Sequence, residues 1–239
     1  MKIDLHAHTS GISRCCQIPA PKVLTRAKNV GLDGIVLTNH YTVSYVNDGD
    51  AMDFAKRYIA EYEYTKKLGD EMGMKVFFGV EVTWEEHPAI HILLYGVTPD
   101  FVLAHPEMYN YYPEKLYREV KAVGGCVVQA HPFRNGMTVL DTAYLDGVEV
   151  NCHPLYNISY ADRLIRIAHE SGLIVTCGGD YHADTYRPVC ATHLPDDIEN
   201  GLQIAEFLLS CREIELLIHE PKTEAPYSYT FRRDGNDEK

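Results

Sequence analysis

Lys2-Ile3-Asp4-Leu5-His6-Ala7-His8-Thr9 begins as an apolar β-type run and ends on two imidazoles one residue apart. Side chains alternate between the faces of a strand, so His6 and His8 point the same way from its carboxyl end. The next β-type run, 34–38, follows a stretch of helical spacing at 21–30, with Pro21 in the first turn and Gly31 at the stop. The alternation continues. Runs at 75–82, 90–97, 126–130, 147–151 and 174–178 have strand length and composition, and 50–72, 114–123 and 159–171 carry helical spacing. Repeated strand–helix units predict an α/β fold with a largely parallel sheet. A last helix at 197–211 and a short strand at 215–218 complete one domain over 1–225, and the polar stretch 226–239 reads as a frayed tail.

One connection breaks the rhythm. Only nine residues, Pro88 among them, separate Glu81 from His91, too few for a crossover helix. An antiparallel return fits, and it makes Glu81 and His91 spatial neighbours.

The carboxyl ends of the strands are where such folds collect their chemistry. Here they read His6-Ala7-His8, Asn39-His40, Glu81 with His91 returning beside it, Ala130-His131-Pro132 and Gly179-Asp180-Tyr181-His182. Each alone has an ordinary reading: a solvated histidine, a glutamate paired with an arginine, a turn. Together they bring six imidazoles and two carboxylates to one edge, which points to metal binding. Imidazole and carboxylate without thiolate suit Zn, Fe or Mn in an open catalytic site rather than a closed structural zinc. Eight ligands exceed one tetrahedral site, so two or three ions are expected, with Glu81 placed to bridge. Ions about 3.5–4 Å apart can clamp a phosphoryl group and activate a shared water.

Composition sets the limits. The 239 residues are 46% hydrophobic and 23% charged, ordinary for a globular chain. The net charge of −12 argues against a general nucleic-acid binder. No apolar run approaches the roughly 20 residues of a membrane helix, and the opening residues do not read as a signal peptide. Seven scattered cysteines, with no CxxC pair, fit a reduced compartment. The expectation is a cytoplasmic chain with no membrane partner.

In order and spacing from residue 4 to 182, these segments resemble the PHP (polymerase and histidinol phosphatase) family of metal-dependent phosphoesterases. The motifs that carry the likeness are Asp4-Leu5-His6-Ala7-His8-Thr9, Leu37-Thr38-Asn39-His40, Gly79-Val80-Glu81, His91 opening Ile92-Leu93-Leu94, Ala130-His131-Pro132 and Gly179-Asp180-Tyr181-His182. The resemblance implies a distorted seven-stranded (β/α) barrel with up to three divalent ions at the carboxyl-end mouth. It implies that His6, His8, Glu81 and Asp180 hold one ion, that Glu81 bridges to a second held by His91 and His131, and that His40 and His182 hold a third. Family members often have a further ligand for the third ion shortly after the first motif. Here that stretch is Ser10-Gly11-Ile12-Ser13-Arg14-Cys15-Cys16, without histidine. Cys15 either substitutes or is a buried inert thiol. Asn39 stands where the family commonly has aspartate, and an amide there can orient His40 without adding charge.

The function expected is hydrolysis of a phosphate ester by a metal-bound hydroxide in a di- or trinuclear site, with Glu81, Asp180 and His182 as the catalytic set. His182 or His153 is a candidate general acid. Arg134 is the foremost candidate to grip a phosphate, since guanidinium matches phosphate bidentately, with Arg14 and Arg187 behind it. His153 or Asn151 can contact substrate. The partner expected is a small phosphorylated molecule, with nucleic acid entering only as a small nucleotide. His87, His105, His169, His193 and His219 lie off the motifs and read as structural or exposed. The cluster Tyr109, Tyr111, Tyr112 and Tyr117 reads as packing or as an aromatic pocket. Two other readings stand beside this one: an amidohydrolase-type C–N hydrolase on a related barrel, and a non-catalytic metal-binding module.

Overall fold

From Ile3 onward the first strand, β1 (Lys2–Ala7), is buried, as its apolar residues require when both faces are covered. In chain order it is followed by α1 (Ala20–Asn29), β2 (Gly34–Leu37), β3 (His40–Tyr41), α2 (Ala51–Met72), β4 (Lys75–Trp84) and β5 (Ile90–Tyr95). Then come α3 (Pro99–Ala104), α4 (Pro113–Ala122), β6 (Cys126–Gln129), β7 (Gly147–Asn151), α5 (Ala161–Ser171), β8 (Ile174–Gly178), β9 (Ala191–His193), α6 (Gly201–Ser210), β10 (Glu213–Ile218) and β11 (Tyr227–Arg232). This computed structural model describes residues 1–46, 50–85, 89–153, 158–185, 189–235 and 237–238.

The helices begin and end where local chemistry directs. Asp50 caps α2 by accepting from the Asp53 amide, and Gly73 ends that helix at φ 67°, a left-handed turn that costs glycine little. Proline opens α3 and α4, and Asn200 with Gln203 forms a capping box on α6. Helix α1 turns Val23, Leu24 and Ala27 onto Ile35, Leu37 and Val76 of the sheet. Burying Leu24 alone is worth roughly 1.5–3 kcal/mol.

All strands among the described residues belong to one sheet ordered β11-β10-β9-β1-β2-β4-β5-β6-β7-β8, with β3 added against β4. Seven of them, β1, β2, β4, β5, β6, β7 and β8, curl into the barrel that the family resemblance implies. Strand β5 alone runs against its barrel neighbours. Its register sets His91 opposite Thr83, so the antiparallel return between Glu81 and His91 is as expected.

The barrel closes unevenly. The foot of β1 pairs with β9, Ile3 opposite Thr192, while its top meets the segment after β8 through an Ala7–Tyr181 bridge. The Asp180 amide donates to the His6 carbonyl at 2.8 Å across this seam. Glycine makes the approach possible. A Cβ on Gly178 would lie 2.5 Å from His6 Cβ, and one on Gly179 would lie 2.7 Å from Asp4 Oδ2.

Among the described residues the sheet has eleven strands rather than seven, because β9, β10 and β11 extend it beyond β1 and β3 augments β4. The expected frayed tail is corrected: β11 pairs with β10 over six residues. The reason is period two. Tyr227, Tyr229 and Phe231 alternate with Ser228 and Thr230, and the Phe231 ring stacks on His169 at 4.7 Å. Among the described residues no helix is long and apolar enough to cross a membrane.

Candidate metal centre

The carboxyl ends of the barrel strands bring all eight predicted ligands together. His6 and His8 leave β1 on one face, His40 opens β3, and Glu81 stands on β4 beside His91 of β5. His131 follows β6, and Asp180 and His182 follow β8. Glu81 is at the middle and fully buried. Its Oε1 lies 2.8 Å from His91 Nδ1, 3.3 Å from His6 Nε2 and 3.5 Å from His131 Nε2. Its Oε2 lies 2.6 Å from His40 Nδ1 and 3.4 Å from His8 Nε2. Asp180 faces the same space, with Oδ1 3.0 Å from His8 Nε2 and 3.4 Å from His6 Nε2.

Outer hydrogen bonds decide which imidazole nitrogen is offered inward. His6 Nδ1 lies 2.9 and 3.0 Å from the two oxygens of Glu149, which can only accept when ionised, so Nδ1 carries the proton and Nε2 the lone pair. His182 Nδ1 donates to the Asp180 carbonyl at 2.8 Å, which likewise leaves its Nε2. For His8 the proton follows from a chain of partners. The Thr9 amide donates to Asn39 Oδ1 at 2.8 Å, so that atom is the acceptor, and the Ser13 hydroxyl must donate to it at 2.9 Å. Ser13 Oγ then accepts from the His40 amide at 3.0 Å and from His8 Nδ1 at 2.9 Å. His8 Nε2 is therefore a bare lone pair.

These donors fit divalent cations. Among the described residues five groups of three offer ligand atoms within 4.8 Å of one another. They are His8, His40 and His182; His6, Glu81 and His131; His6, His8 and Asp180; His40, Glu81 and His91; and His153, Asp180 and His182. Ligands about 2.0–2.2 Å from one ion necessarily crowd in this way. Glu81 Oε2 and Asp180 Oδ1 are buried and take no hydrogen bond, although nitrogens stand close to both. His40 is drawn into two groups with different partners, which widens the His40–His182 pairing that the family resemblance implies.

The cluster is electrostatically self-opposed. Burial pushes the Glu81 carboxyl up, but His40, His6 and His91 hold it well below its ordinary range. Burial acts likewise on Asp180, and His6, His182 and Arg134 overcome it in the same direction. His6 is lifted well above 6.5 against its own burial by Glu149, Asp180 and Glu81. Burial, together with His182 and His40, drives His8 well below 6.5. His131 and Asp180 both have left-handed backbones, φ 32° and 50°. Such conformations cost non-glycine residues about 1–3 kcal/mol each and cluster at functional sites.

Beside this centre lies a cavity of about 440 Å³ whose lining includes His131, Phe133, Arg134, Asn151, Ser159 and Tyr160. Arg134 stands at the seam between the two, its guanidinium hydrogen-bonded to Asp180 Oδ2 and to Asn151 Oδ1. His153 joins the rim, its ring 6.1 Å from that of His182. Burial lowers its pKa to about 4, which Asp180 only partly opposes. Arg14 is turned elsewhere: Nη1 donates to the Ser44 carbonyl at 2.8 Å and the guanidinium stacks on Tyr45. Arg187 and His87 lie outside the described residues.

Several expectations change. Asn39 reaches His40 through Ser13, which donates to the Asn39 side chain and accepts from the His40 amide, while the Asn39 amide group is committed to Thr9. Cys15 is not a buried inert thiol. It is exposed, and its sulfur accepts from the Tyr45 hydroxyl at 3.8 Å. Glu149 had no expected role, yet it is fully buried and positions His6. The sequence carries a signal for it, a carboxylate inside the apolar strand Gly147-Val148-Glu149-Val150-Asn151, on the same face as Asn151. The remaining histidines are structural: His105 meets Tyr111, His169 meets Asp237, His193 meets Glu215, and His219 accepts from the Val189 amide. The tyrosine cluster is packing, Tyr109 against Tyr41 and Tyr117 on Asp146, and Tyr112 faces solvent.

Comparison with known proteins gives the same picture. No curated protein matches the sequence. Among solved structures, a candidate metal-dependent phosphoesterase from Bifidobacterium adolescentis is 20% identical with a TM-score of 0.54, over 86% of this chain and 95% of that one. A two-domain protein from Bacteroides vulgatus, containing a predicted PHP-like metal-dependent phosphoesterase, is 16% identical with a TM-score of 0.55, over 97% of this chain and 64% of its own. An amidohydrolase from Chromobacterium violaceum, solved with sulfate and no metal, is 16% identical with a TM-score of 0.58, over 86% and 96%. At such identities these structures speak for the fold. The PHP domain model matches residues 4–211, a span that includes every ligand described above. The chain belongs to the PHP domain family.

Proposed function

We propose that this protein is a phosphoesterase that hydrolyses a small phosphate ester at a centre of two or three divalent ions. The observation that carries the reading is Arg134, a guanidinium fixed where the ligand cluster opens into the cavity. A planar fork there suits the paired oxygens of a phosphoryl group and has no comparable use for a neutral amide.

Divalent ions supply positive charge to the phosphoryl oxygens and lower the pKa of a water. The chain's own residues do the rest. The two oxygens of Glu81 face different histidines, Oε1 toward His91 and His131 and Oε2 toward His40 and His8, the arrangement a bridging carboxylate requires. His6, His8 and Asp180 would hold a cation, the two histidines in tautomers set by Glu149 and Ser13. Arg134 orients the ester and Asn151 steadies Arg134. His153 is held neutral near pH 7 and is withdrawn from the general-acid role. His182 is the partner of that pair that Asp180 lifts above its ordinary value, against its burial. The free state of all seven cysteines supports a reducing, cytoplasmic setting.

The test is turnover of aryl phosphate mono- and diesters against an aryl amide by protein loaded with Mn, Fe or Zn. Phosphate release is expected. The Glu81→Ala variant is expected to fall from roughly two or three ions per chain to at most one, with turnover abolished. Amide cleavage without ester cleavage would hand the site to the amidohydrolase reading, and inactivity with all three metals would make it a binding module.

A further inference from the structure

We propose that the alcohol half of the ester is aromatic, and that Phe133 and Tyr160 receive its ring in the cavity beside the metal centre. The proposal rests on the phosphoesterase reading and adds to it the class of substrate.

Two loops build the slot. Phe133 follows β6, Tyr160 precedes α5, and both line the cavity of about 440 Å³ that Arg134 also lines. That volume falls in the range of roughly 300–1,000 Å³ usual for small-molecule sites. A phosphoryl group held by Arg134 at the seam directs the rest of the ester into this space. The two ring centroids are 5.6 Å apart with their planes at 62°. A third ring lying flat on one therefore meets the other nearly edge-on, and these are the two arrangements that aromatic pairs prefer. Arg163 fixes the Phe133 ring by stacking on it, its guanidinium carbon 3.7 Å from the centroid.

Both residues are held where local rules would not place them. Phe133 and Tyr160 have left-handed backbones, φ 75° and 60°, which disfavour a non-glycine side chain. Tyr160 occupies the cap position of α5 without capping it. Ser159 supplies the oxygen instead, accepting from the Ala161 amide at 3.1 Å while its hydroxyl donates to Glu220. The Ser159 amide donates to the same carboxylate at 3.3 Å. A buried serine and its carboxylate partner thus anchor a tyrosine that the helix itself does not need.

The cavity suits a sugar or a polyol poorly, because the buried amide and hydroxyl of its lining are already spent. Asn151 Oδ1 accepts from Arg134 and from the His153 amide, and its Nδ2 donates to Glu149 and to the Gly178 carbonyl. Ser159 is committed to Glu220 and Ala161. Hydroxyls entering here give up water without finding these groups free. Ile158, 59% exposed, continues the apolar lining toward solvent.

The experiment uses the full chain loaded with manganese and compares benzyl phosphate with cyclohexylmethyl phosphate. The two alcohols are similar in acidity, so the ratio of kcat/KM reads recognition of the ring rather than ease of leaving. Calorimetry with benzylphosphonate and cyclohexylmethylphosphonate reads the same preference without turnover. A merely apolar cavity favours the cyclohexyl compounds, whereas the aromatic slot should favour the benzyl compounds about tenfold in both measurements. Phe133→Leu and Tyr160→Leu should bring the ratio toward parity, and Phe133→Tyr and Tyr160→Phe should keep the preference. Parity or a cyclohexyl preference in the wild type overturns the proposal, as does a benzyl preference that survives in both leucine variants, or a failure of both phosphonates to bind. If neither phosphate is hydrolysed while the phosphonates keep the benzyl preference, the hydrolytic reading fails and the aromatic slot stands.

Discussion

Ser13 Oγ lies 2.9 Å from His8 Nδ1 and accepts its proton, because the hydroxyl's own hydrogen is committed to Asn39. One oxygen thus sets the tautomer of a ligand on β1 and, through the His40 amide, the backbone of a ligand on β3. Ser13→Ala leaves both donors unsatisfied in a buried place. Metal affinity should fall about 10–100-fold, the usual cost of losing such a partner, as read by competition with a chelator. Asn39→Asp keeps the acceptor for Thr9 and Ser13 and adds a negative charge, so its affinity should equal or exceed wild type.

Arg134 is bound to Asp180 and Asn151 at once. Arg134→Ala should raise KM for an aryl phosphate about 10–100-fold, the loss of a charge-assisted bidentate contact of roughly 1.5–3 kcal/mol. Arg134→Lys should recover less than about tenfold of that, since an ammonium cannot make both contacts in one plane. Cobalt stoichiometry should be unchanged in both, which separates gripping the ester from holding ions.

Asp4 accepts from the amides of His6 and Gly179 through a single oxygen, yet burial raises its pKa from 3.8 to about 7. A carboxyl shifted upward stabilises the fold fully below pH 3.8, and that contribution is lost as pH rises through about 7. At pH 8 the buried charge is therefore a cost, at most about 4 kcal/mol. Asp4→Asn keeps the acceptor and removes the charge. Thermal unfolding of chelator-treated protein should show the variant more stable than wild type at pH 8 and level with it near pH 4.

Gly178→Ala places a methyl 2.5 Å from His6 Cβ and 2.6 Å from Glu149 Oε1. The barrel must open at its seam to admit it, costing about 1–3 kcal/mol in a urea titration. Ion content should drop as well, because the same atom pushes His6 away from Glu149.

Much of this was readable in advance where a rule of geometry acts on neighbours in sequence. Period two placed His6 and His8 on one face, and a nine-residue return containing Pro88 placed His91 beside Glu81. Glu149 obeys the same parity but lacks a motif to mark it. Strands β3 and β9 have two and three residues and exist because β4 and β1 offer them edges, so no local propensity announces them. Asn39 acts on His40 through Ser13, a residue of a separate loop whose place between them no spacing in the sequence conveys. The exposure of Cys15 depends on how a loop folds over His182, which spacing cannot convey.

The stretch from Thr9 to Ile18 supplies none of the barrel's ladder, yet Ser13 and Cys15 both hang from it. Control of the ligands is in this sense exerted from outside the cylinder: the strands present the imidazoles, and a short strap fixes, through Ser13, which nitrogen of His8 is offered. A change in this strap would therefore reach the nitrogens offered to an ion while leaving the ladder of the cylinder itself untouched.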